Sequence, residues 1–249
     1  MGKVRKHIRL NSLSGEETSF AYVEAFKTLR TNLEFLSSET DCKKIVVTSP
    51  LAEEGKTNVS INLAVTLADA GKKVILLDCD LRRSILEDYL LSEDKNKWNK
   101  QFTKGLSGIL CGKFNLAESS IEMKNLGITV LPSGKHPPNP SELLASKKMG
   151  QLIQELDEIY DYIIFDAPPI SLVTDAAVIG KYADGALLVV RYKSTPVVMI
   201  KKAMENLNNA GIKVIGSILN AFDIKKSNIY GKKYYGYYRY AYKKEGEGL

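Results

Sequence analysis

The sequence has few cysteines and histidines, and neither residue type is arranged for a disulfide framework or a metal site. The three cysteines, Cys42, Cys79 and Cys111, show no CxxC or paired spacing, which is typical of reduced thiols in a reducing compartment. The two histidines, His7 and His136, are far apart in the chain, so a histidine-based metal site has poor support.

The sequence also lacks long apolar runs. None approaches the roughly 18–20 residues that a membrane-spanning helix needs. The basic N-terminal segment, with Lys3, Arg5 and Lys6, is not followed by an apolar stretch, so it does not have the pattern of a signal peptide. Lys6 also stands where an N-myristoylation signal requires Ser or Thr. These absences predict a cytoplasmic protein.

Short apolar runs alternate with helical segments along most of the 249 residues. Runs of about 4–6 apolar residues separated by helices are typical of a parallel sheet that is covered by helices on both faces. The predicted strands are 44–49, 74–77, 128–131, 162–165, 186–190 and 214–219. The predicted helices in this region are 57–70, 147–159 and 196–209. The pattern therefore predicts an α/β fold with a mostly parallel sheet.

The two ends of the chain differ in composition from the middle. Residues 1–16 are polar and basic, and we expect a flexible arm there; a domain follows over 17–221. This domain opens with an amphipathic helix over 19–37, because apolar residues recur there at helical spacing. Those residues are Tyr22, Phe26, Leu29, Leu33 and Leu36. Residues 92–104 are polar and of mixed charge, and they predict an exposed loop.

The last part of the chain, 222–249, predicts a flexible tail. It holds seven of the 13 tyrosines, and its seven Lys/Arg against three Asp/Glu give +4 of the net charge of +6. The tail tyrosines are Tyr230, Tyr234, Tyr235, Tyr237, Tyr238, Tyr240 and Tyr242. A basic, aromatic tail could also bind nucleic acid by stacking or lie on a membrane surface, although neither alternative explains why the tyrosines gather in one place.

The loop at 50–57 has the context of a phosphate-binding P-loop. A buried strand precedes it, a helix follows it, and it ends in Gly55-Lys56-Thr57. In such a loop, backbone N–H groups point at the phosphates, Lys56 reaches the β/γ-phosphates and Thr57 ligates Mg²⁺. Pro50 stands where the GxxxxGK[ST] pattern has Gly, so an exposed loop that caps a helix is the alternative. The candidate nucleotide-binding residues are Glu53, Glu54, Gly55, Lys56, Thr57 and Asn58.

Acidic residues end two of the predicted strands. Asp78 and Asp80 lie on one side of the end of the second strand, and Asp166 ends the fourth. Because the carboxyl ends of parallel strands line the ligand crevice, these carboxylates are expected to meet beside Lys56 and Thr57. Asp78 is the predicted base for an attacking hydroxyl, and Thr57, Asp80 and Asp166 are the predicted Mg²⁺ ligands. Turn formation and helix capping are the alternative roles.

Two further residues are candidates for the same site. Arg82 follows the first acidic motif and completes the predicted catalytic set of Lys56, Asp78, Asp80 and Arg82, facing phosphate or the carboxylates; a surface salt bridge is the alternative. Asn220 ends the sixth strand, where related nucleotide-binding folds place an adenine contact.

Four features in this order resemble the bacterial tyrosine kinase family, the cytoplasmic kinases of capsule and exopolysaccharide synthesis. They are SPLAEEGKT as Walker A, VILLDCDLR as Walker A′, YIIFDAPPI as Walker B, and the C-terminal tyrosine cluster. The stretch PPNPSELL at 137–144 is similar to this family as well, although its chemical role does not follow from the residues. Leu51 replaces the signature lysine of related partitioning ATPases, and Glu53 stands where many members of the family have Gly.

The resemblance implies a P-loop NTPase-like fold and a non-specific protein-tyrosine kinase that uses ATP and Mg²⁺. It further implies phosphorylation of the tail tyrosines in trans within a ring of identical chains, and activation by a membrane-embedded partner with a cytoplasmic segment. That partner would recruit the kinase to the inner face of the membrane, where it would regulate capsule or exopolysaccharide synthesis; no nucleic-acid partner is expected. The family's ring motif, Glu-x-x-Arg-x-x-Arg, is matched by Glu24, Lys27 and Arg30, with Lys at the middle position.

Two other functions remain open. One is an ATPase switch of the partitioning or cell-division-positioning class, which would dimerise and hydrolyse ATP without phosphorylating protein. The other is a non-catalytic ATP-binding scaffold for polysaccharide export. The tyrosine-rich tail and the missing signature lysine favour the kinase.

Overall fold

The computed structural model describes residues 20–90 and 102–222. In this part of the chain, seven strands form one sheet in the order β3-β4-β2-β5-β1-β6-β7. The strands are β1 Lys44–Thr48, β2 Val74–Asp78, β3 Ile121–Met123, β4 Ile128–Leu131, β5 Tyr162–Asp166, β6 Gly185–Arg191 and β7 Val214–Asn220. All neighbouring pairs are parallel except β3 with β4. The predicted α/β class and the mostly parallel sheet are confirmed.

Helices cover both faces of the sheet. They are α1 Phe20–Thr40, α2 Lys56–Asp69, α3 Leu86–Leu90, α4 Gly105–Leu110, α5 Leu116–Ser119, α6 Pro140–Leu144, α7 Lys147–Ile159, α8 Asp175–Gly180 and α9 Val197–Asn209. Residues of α1 and α2 pack in one apolar cluster, and residues of α4, α7, α8 and α9 pack in a second. Alternate residues of the central strands, such as Ile75 and Leu76, belong to opposite clusters. This explains why these strands are apolar throughout.

The predicted stripe on the N-terminal helix is confirmed. Phe26 and Leu33 of α1 are buried against α2 and the sheet, and the other residues of the stripe are partly buried beside them. The ring motif lies on the same helix. Lys27 Nζ lies 2.8 Å from the Glu24 carboxylate, whereas Arg30 Nη1 donates to the carbonyl oxygen of Thr66 on α2, 3.2 Å away. Arg30 is therefore engaged within its own chain, and ring formation stays a prediction.

The sequence-based prediction missed the short elements. Strand β3 is three residues long and runs antiparallel to β4, and its central residue Glu122 is exposed. Three residues are too few to show a period, and the same holds for the one-turn helices. The predicted arm at 1–16, the tail from residue 223 onward, and residues 92–101 of the predicted loop lie outside the described residues. Among the helices that the structure describes, none has the length and apolar character to span a bilayer.

Candidate nucleotide site

The carboxyl ends of three neighbouring strands form the floor of the site. Strand β5 lies between β1, which leads into the P-loop, and β2, which ends in the first acidic motif. Asp78 and Asp166 are register partners on β2 and β5, and the backbone N–H of Cys79 donates to the Asp166 carbonyl at 3.0 Å. The predicted convergence of the acidic residues at the P-loop edge of the sheet is therefore observed.

The P-loop owes its shape to two residues with positive φ angles. Glu53 has φ 64° and Gly55 has φ 86°, and Gly55 is the N-cap of α2. This turn directs the free backbone N–H groups at the start of the 14-residue helix α2 toward the loop. Such an array, at the positive end of the helix dipole, suits a bound phosphate.

The side chain of Glu54 braces the loop from inside. It is 3% exposed, and its carboxylate accepts hydrogen bonds from the Leu51 backbone N–H at 3.3 Å and from the Thr195 hydroxyl. Burial raises the pKa of this carboxyl. Asn220 Nδ2 donates to the Glu54 carbonyl at 2.8 Å, and Arg191 donates to that of Glu53 at the same distance. The loop is thus fixed to the ends of β6 and β7.

Gly55→Ala is expected to weaken ADP binding at least tenfold. The added Cβ would lie 2.1 Å from Asn220 Nδ2, at a φ angle that alanine rarely adopts. Gly71→Ala is the matched control, because Gly71 has φ 80° and nothing lies within 4 Å of its added Cβ. Both variants should lose about 1 kcal/mol of unfolding free energy to backbone strain. Fluorescent-ADP titration and thermal denaturation check this, and equal binding by the two variants would contradict it.

Lys56 and the acidic residues form one buried charged group. Lys56 Nζ lies 3.6 Å from Asp80 Oδ2, and both side chains are about one-tenth exposed. Ser60, one turn along α2, donates to Asp166 Oδ1 at 3.2 Å. The Thr57 hydroxyl is buried and has no hydrogen-bond partner of normal geometry among the described residues, although it lies close enough to Asp166 to oppose the rise of that carboxyl's pKa.

Burial changes the acidity of two carboxyl groups. It raises the pKa of Asp78 to about 7, and the neighbouring Asp166 charge adds to the rise. Hydrogen bonds from the Ser84 hydroxyl and from the Asp80 backbone N–H, the latter at 3.2 Å, act in the opposite direction. Burial likewise raises the pKa of Asp166, and the Lys56 charge lowers it. A base with a pKa close to 7 is suited to proton transfer at neutral pH.

The residues present fit a cation that arrives with a nucleotide. Two neighbouring buried carboxyl groups, Asp78 and Asp166, have raised pKa values, and the Thr57 hydroxyl lies beside Asp166, so a positive charge there would be stabilised. Within 20–90 and 102–222, no three His, Cys, Asp or Glu side chains are grouped so that they could hold a metal by themselves. The three aspartates are therefore not a preformed metal cage. Mg²⁺ at nucleotide sites commonly uses one or two carboxylates together with phosphate oxygens and water.

Three predicted site residues have protein partners in this structure. Arg82 pairs with both oxygens of Asp175, at the start of α8. Asn58 Oδ1 accepts a hydrogen bond from the Tyr22 hydroxyl of α1 at 2.7 Å. Burial raises the Tyr22 pKa to about 12, so this hydroxyl stays protonated. Asn220, as described, braces the P-loop. Contacts of these three residues with a nucleotide stay predictions.

Sequence reasoning missed the residues that support the site. The Ser60 hydroxyl donates to Asp166, and the Ser84 hydroxyl donates to Asp78. The Thr195 hydroxyl donates to Glu54 of the P-loop. Asp175 is wholly buried in the first turn of α8. An acid that starts the helix after the Walker B segment is a signal that could have been noticed, but its partner Arg82 is 93 residues away in sequence.

A P-loop at the carboxyl edge of a mostly parallel sheet, with acidic residues at the ends of the next two strands on one side, defines a nucleotide-binding domain of the P-loop NTPase class. The family model described as "AAA domain" matches residues 42–219. The tyrosine-protein kinase YwqD of Bacillus subtilis is 38% identical over 213 residues, which cover 86% of each chain. The chain belongs to the family of bacterial tyrosine-protein kinases.

A second relative and two solved structures agree with this assignment. The tyrosine-protein kinase Wzc of Salmonella typhimurium is 34% identical over 94% of this chain, which spans 31% of that longer protein. The kinase domain of the Escherichia coli tyrosine kinase ETK superposes with a TM-score of 0.75 at 33% identity, covering 88% of this chain and 84% of that one. The septum site-determining protein MinD of Pyrococcus horikoshii, solved with Mg-ADP, gives 0.60 at 26%, covering 74% and 72%.

Proposed function

We propose that this chain transfers the γ-phosphoryl group of Mg-ATP to tyrosines of its own tail, in trans. The observation that carries the proposal is the buried carboxyl group of Asp78, whose pKa burial raises to about 7 and which accepts from the backbone N–H of Asp80, the partner of the P-loop lysine. In the proposed reaction, the tyrosine oxygen bonds to the γ-phosphorus while the bond between that phosphorus and the bridging oxygen breaks. The phenol proton passes to Asp78, and ADP leaves.

The other residues of the site bind and orient the phosphates. The N–H groups at the start of α2 and the Lys56 ammonium face the β/γ-phosphates, where negative charge accumulates. Thr57, Asp80 and Asp166 are the residues that would hold Mg²⁺, which when bound neutralises part of that charge. Glu53, Glu54, Gly55 and Asn58 shape this end of the site, and Asn220 closes it on the adenine side.

The tail supplies acceptors that oppose the charge of the site. Its net charge of +4 attracts it to an acidic edge, and each phosphate adds about −1.5 to −2 at neutral pH. A few phosphates therefore reverse the sign of the tail. The unmodified tail docks at a neighbouring chain's site, and the modified tail is repelled from it.

The cellular setting belongs to the same proposal. The kinase acts in the cytoplasm, forms a ring through α1, and is recruited to the inner face of the membrane by a membrane-embedded activator. In that setting it regulates the synthesis and export of capsule or exopolysaccharide. The support for this setting is the family and the ring-motif residues Glu24 and Lys27 on α1, whose side chains are 30% and 50% exposed.

The test is a phosphotyrosine assay on the full chain. Purified protein is incubated with labelled Mg-ATP and the cytoplasmic segment of a candidate activator. We expect phosphotyrosine in the wild type and none with Lys56→Met. Changing the seven tail tyrosines, 230, 234, 235, 237, 238, 240 and 242, to Phe should remove most of the signal and leave ADP binding within about twofold of wild type. Unchanged phosphotyrosine in that variant would contradict the tail as acceptor.

The alternative of an ATPase switch rests on the likeness to MinD in fold. It predicts release of inorganic phosphate without phosphotyrosine, even when the activator segment is present. Leu51, in place of the signature lysine of such ATPases, argues against it. ATP binding with neither product would instead indicate a scaffold.

A further inference from the structure

The loop that follows the first acidic motif is held at each of its four residues. His136 Nδ1 lies 2.9 Å from the carbonyl oxygen of Leu81. Arg82 is bound to Asp175, as described above. The Arg83 backbone N–H donates to Asp80 Oδ1 at 2.9 Å, and the Ser84 hydroxyl donates to Asp78. Two of these contacts join the loop to the acidic residues that precede it, and two fasten it to more distant parts of the fold.

Of these four contacts, the strongest is the ion pair that Arg82 forms with Asp175. Arg82 Nε lies 2.7 Å from Asp175 Oδ2, and Nη2 lies 3.1 Å from Oδ1, so the pair is bidentate. Asp175 is wholly buried. Bidentate pairs between guanidinium and carboxylate groups are strong and fix both side chains in orientation. The arginine head group therefore has one well-defined place.

Ser141 completes the arrangement. Its hydroxyl donates to Asp175 Oδ1 at 2.5 Å and accepts from Arg82 Nη2 at 3.0 Å. Ser141 lies in α6, within the stretch at 137–144 whose chemical role the sequence left open. Three segments that are distant in sequence thus meet at the guanidinium group of Arg82. They are the loop at 81–84, α6 and the start of α8.

The charges at the carboxyl edge of the sheet explain why the loop at 81–84 needs to be fixed in place. The charges of Asp166 and Asp80 add to the rise of the Asp78 pKa, and the charge of Asp80 adds to the rise of the Asp166 pKa, so the three carboxyl groups lie close together. Lys56 supplies a compensating charge at 3.6 Å from Asp80. Repulsion between these closely spaced acidic groups favours outward movement of the segment from Asp78 to Ser84. A fixed anchor outside the acidic group opposes that movement.

We propose that Asp175 and Ser141 are positioning residues, which act through Arg82 to keep Asp78 and Asp80 in place for a Mg²⁺-bound nucleotide. Neither residue contacts Lys56 or the P-loop in this structure. The inference rests on the proposed function for its catalytic consequence, but its effect on Mg²⁺-dependent nucleotide binding can be measured without phosphotransfer. In this proposal, Arg82 holds the loop at 81–84 in place.

The test compares ADP binding with and without Mg²⁺ in the full chain. In Asp175→Asn, the Mg²⁺ concentration that gives half-maximal tightening of fluorescent-ADP binding should rise about five- to tenfold. Binding in EDTA should stay within about twofold of wild type, because the P-loop is untouched. Ser141→Ala should shift the Mg²⁺ requirement in the same direction by about two- to threefold. These factors correspond to loss of part of a charge-assisted contact.

The control is Asp184→Asn at the opposite edge of the sheet. Asp184 accepts from the backbone N–H groups of Lys43 and Lys44 at 2.8 and 2.7 Å and lies 3.4 Å from Lys44 Nζ, so the loss of its charge should lower the melting temperature and leave the Mg²⁺ requirement unchanged. If Asp175→Asn lowers the melting temperature in the same way without moving the Mg²⁺ requirement, the positioning role is wrong.

A milder variant keeps the test decisive if Asp175→Asn does not fold. Arg82→Lys retains the positive charge and loses the bidentate geometry, and it should shift the Mg²⁺ requirement in the same direction. An unchanged Mg²⁺ requirement in Arg82→Lys overturns the proposal.

A phosphotyrosine assay on the same wild-type preparation separates the positioning role from the proposed kinase function. Its failure would refute the kinase function and leave the Mg²⁺ result to decide the positioning role.

Discussion

Asp78→Asn is expected to reduce tyrosine phosphorylation about 10²- to 10⁴-fold while stabilising the nucleotide-free protein above pH 7. The loss follows because an amide cannot accept the phenol proton. The gain follows because burial disfavours the ionised form of Asp78, whose pKa is raised to about 7. An amide can keep both local contacts, since its oxygen accepts from the Asp80 N–H and its NH₂ group donates to Ser84.

The direction of the pH effect follows from proton binding. The unfolded chain loses the Asp78 proton near pH 3.8, and the folded protein loses it near pH 7. Between these values the folded state holds a proton that the unfolded state lacks, so the contribution of this residue to stability falls as pH rises. Well above pH 7 the penalty is complete, on the order of 4 kcal/mol. Asparagine removes this penalty and its pH dependence.

Thermal denaturation without nucleotide at pH 5 and pH 8.5 measures this effect. Relative to wild type, Asp78→Asn should melt several degrees higher at pH 8.5, with a much smaller difference at pH 5. Asp161→Asn is the control, because Asp161 accepts from the Lys73 N–H at the opposite edge of the sheet and lies outside the acidic group. The same stability difference between Asp78→Asn and wild type at both pH values would show that Asp78 titrates normally.

The parts of the fold that the sequence predicts are those with a local signal. The bounds of each of the six predicted strands agree with those of an observed strand to within two residues. They agree because a short apolar run between two helical segments is typical of a buried strand. The meeting of Asp78 and Asp166 at one edge was also predictable, since both residues end strands in a parallel sheet, whereas their direct pairing depends on the strand order, which the sequence does not show. The loop at 50–57 was recognisable because strand, glycine, lysine and helix occur in a fixed order.

The contacts that were not predictable join residues far apart in the chain. Arg82 follows an acidic motif and therefore suggests a phosphate contact, but a buried carboxylate 93 residues later binds it. Asn58 directly follows the P-loop residues, yet its side chain faces Tyr22 on α1 because of its position around the helix. Glu54 and Thr195 meet across 141 residues. Local periodicity places an element in the fold, and only the packing of elements decides which side chains meet.

Lys56→Met is expected to reduce tyrosine phosphorylation at least 10²- to 10³-fold, the scale of losing a donor aimed at developing charge. Methionine has a similar length and cannot donate to phosphate. The change also removes the ammonium group 3.6 Å from Asp80 and the charge that lowers the pKa of Asp166. Phosphotyrosine formation and fluorescent-ADP binding, measured on one preparation, give the two losses separately.

A second lysine variant tests whether the loss of phosphorylation in Lys56→Met comes from the nucleotide site or would follow from the loss of any partly buried ion pair. Lys44 Nζ lies 3.2 Å from Asp157 and 3.4 Å from Asp184, at the opposite end of the same strand that leads into the P-loop. Lys44→Met should lose stability and keep phosphorylation within about twofold once folded protein is counted. If the two variants lose activity equally, Lys56 acts through folding. If only Lys56→Met loses activity, the charge at the P-loop edge drives phosphoryl transfer.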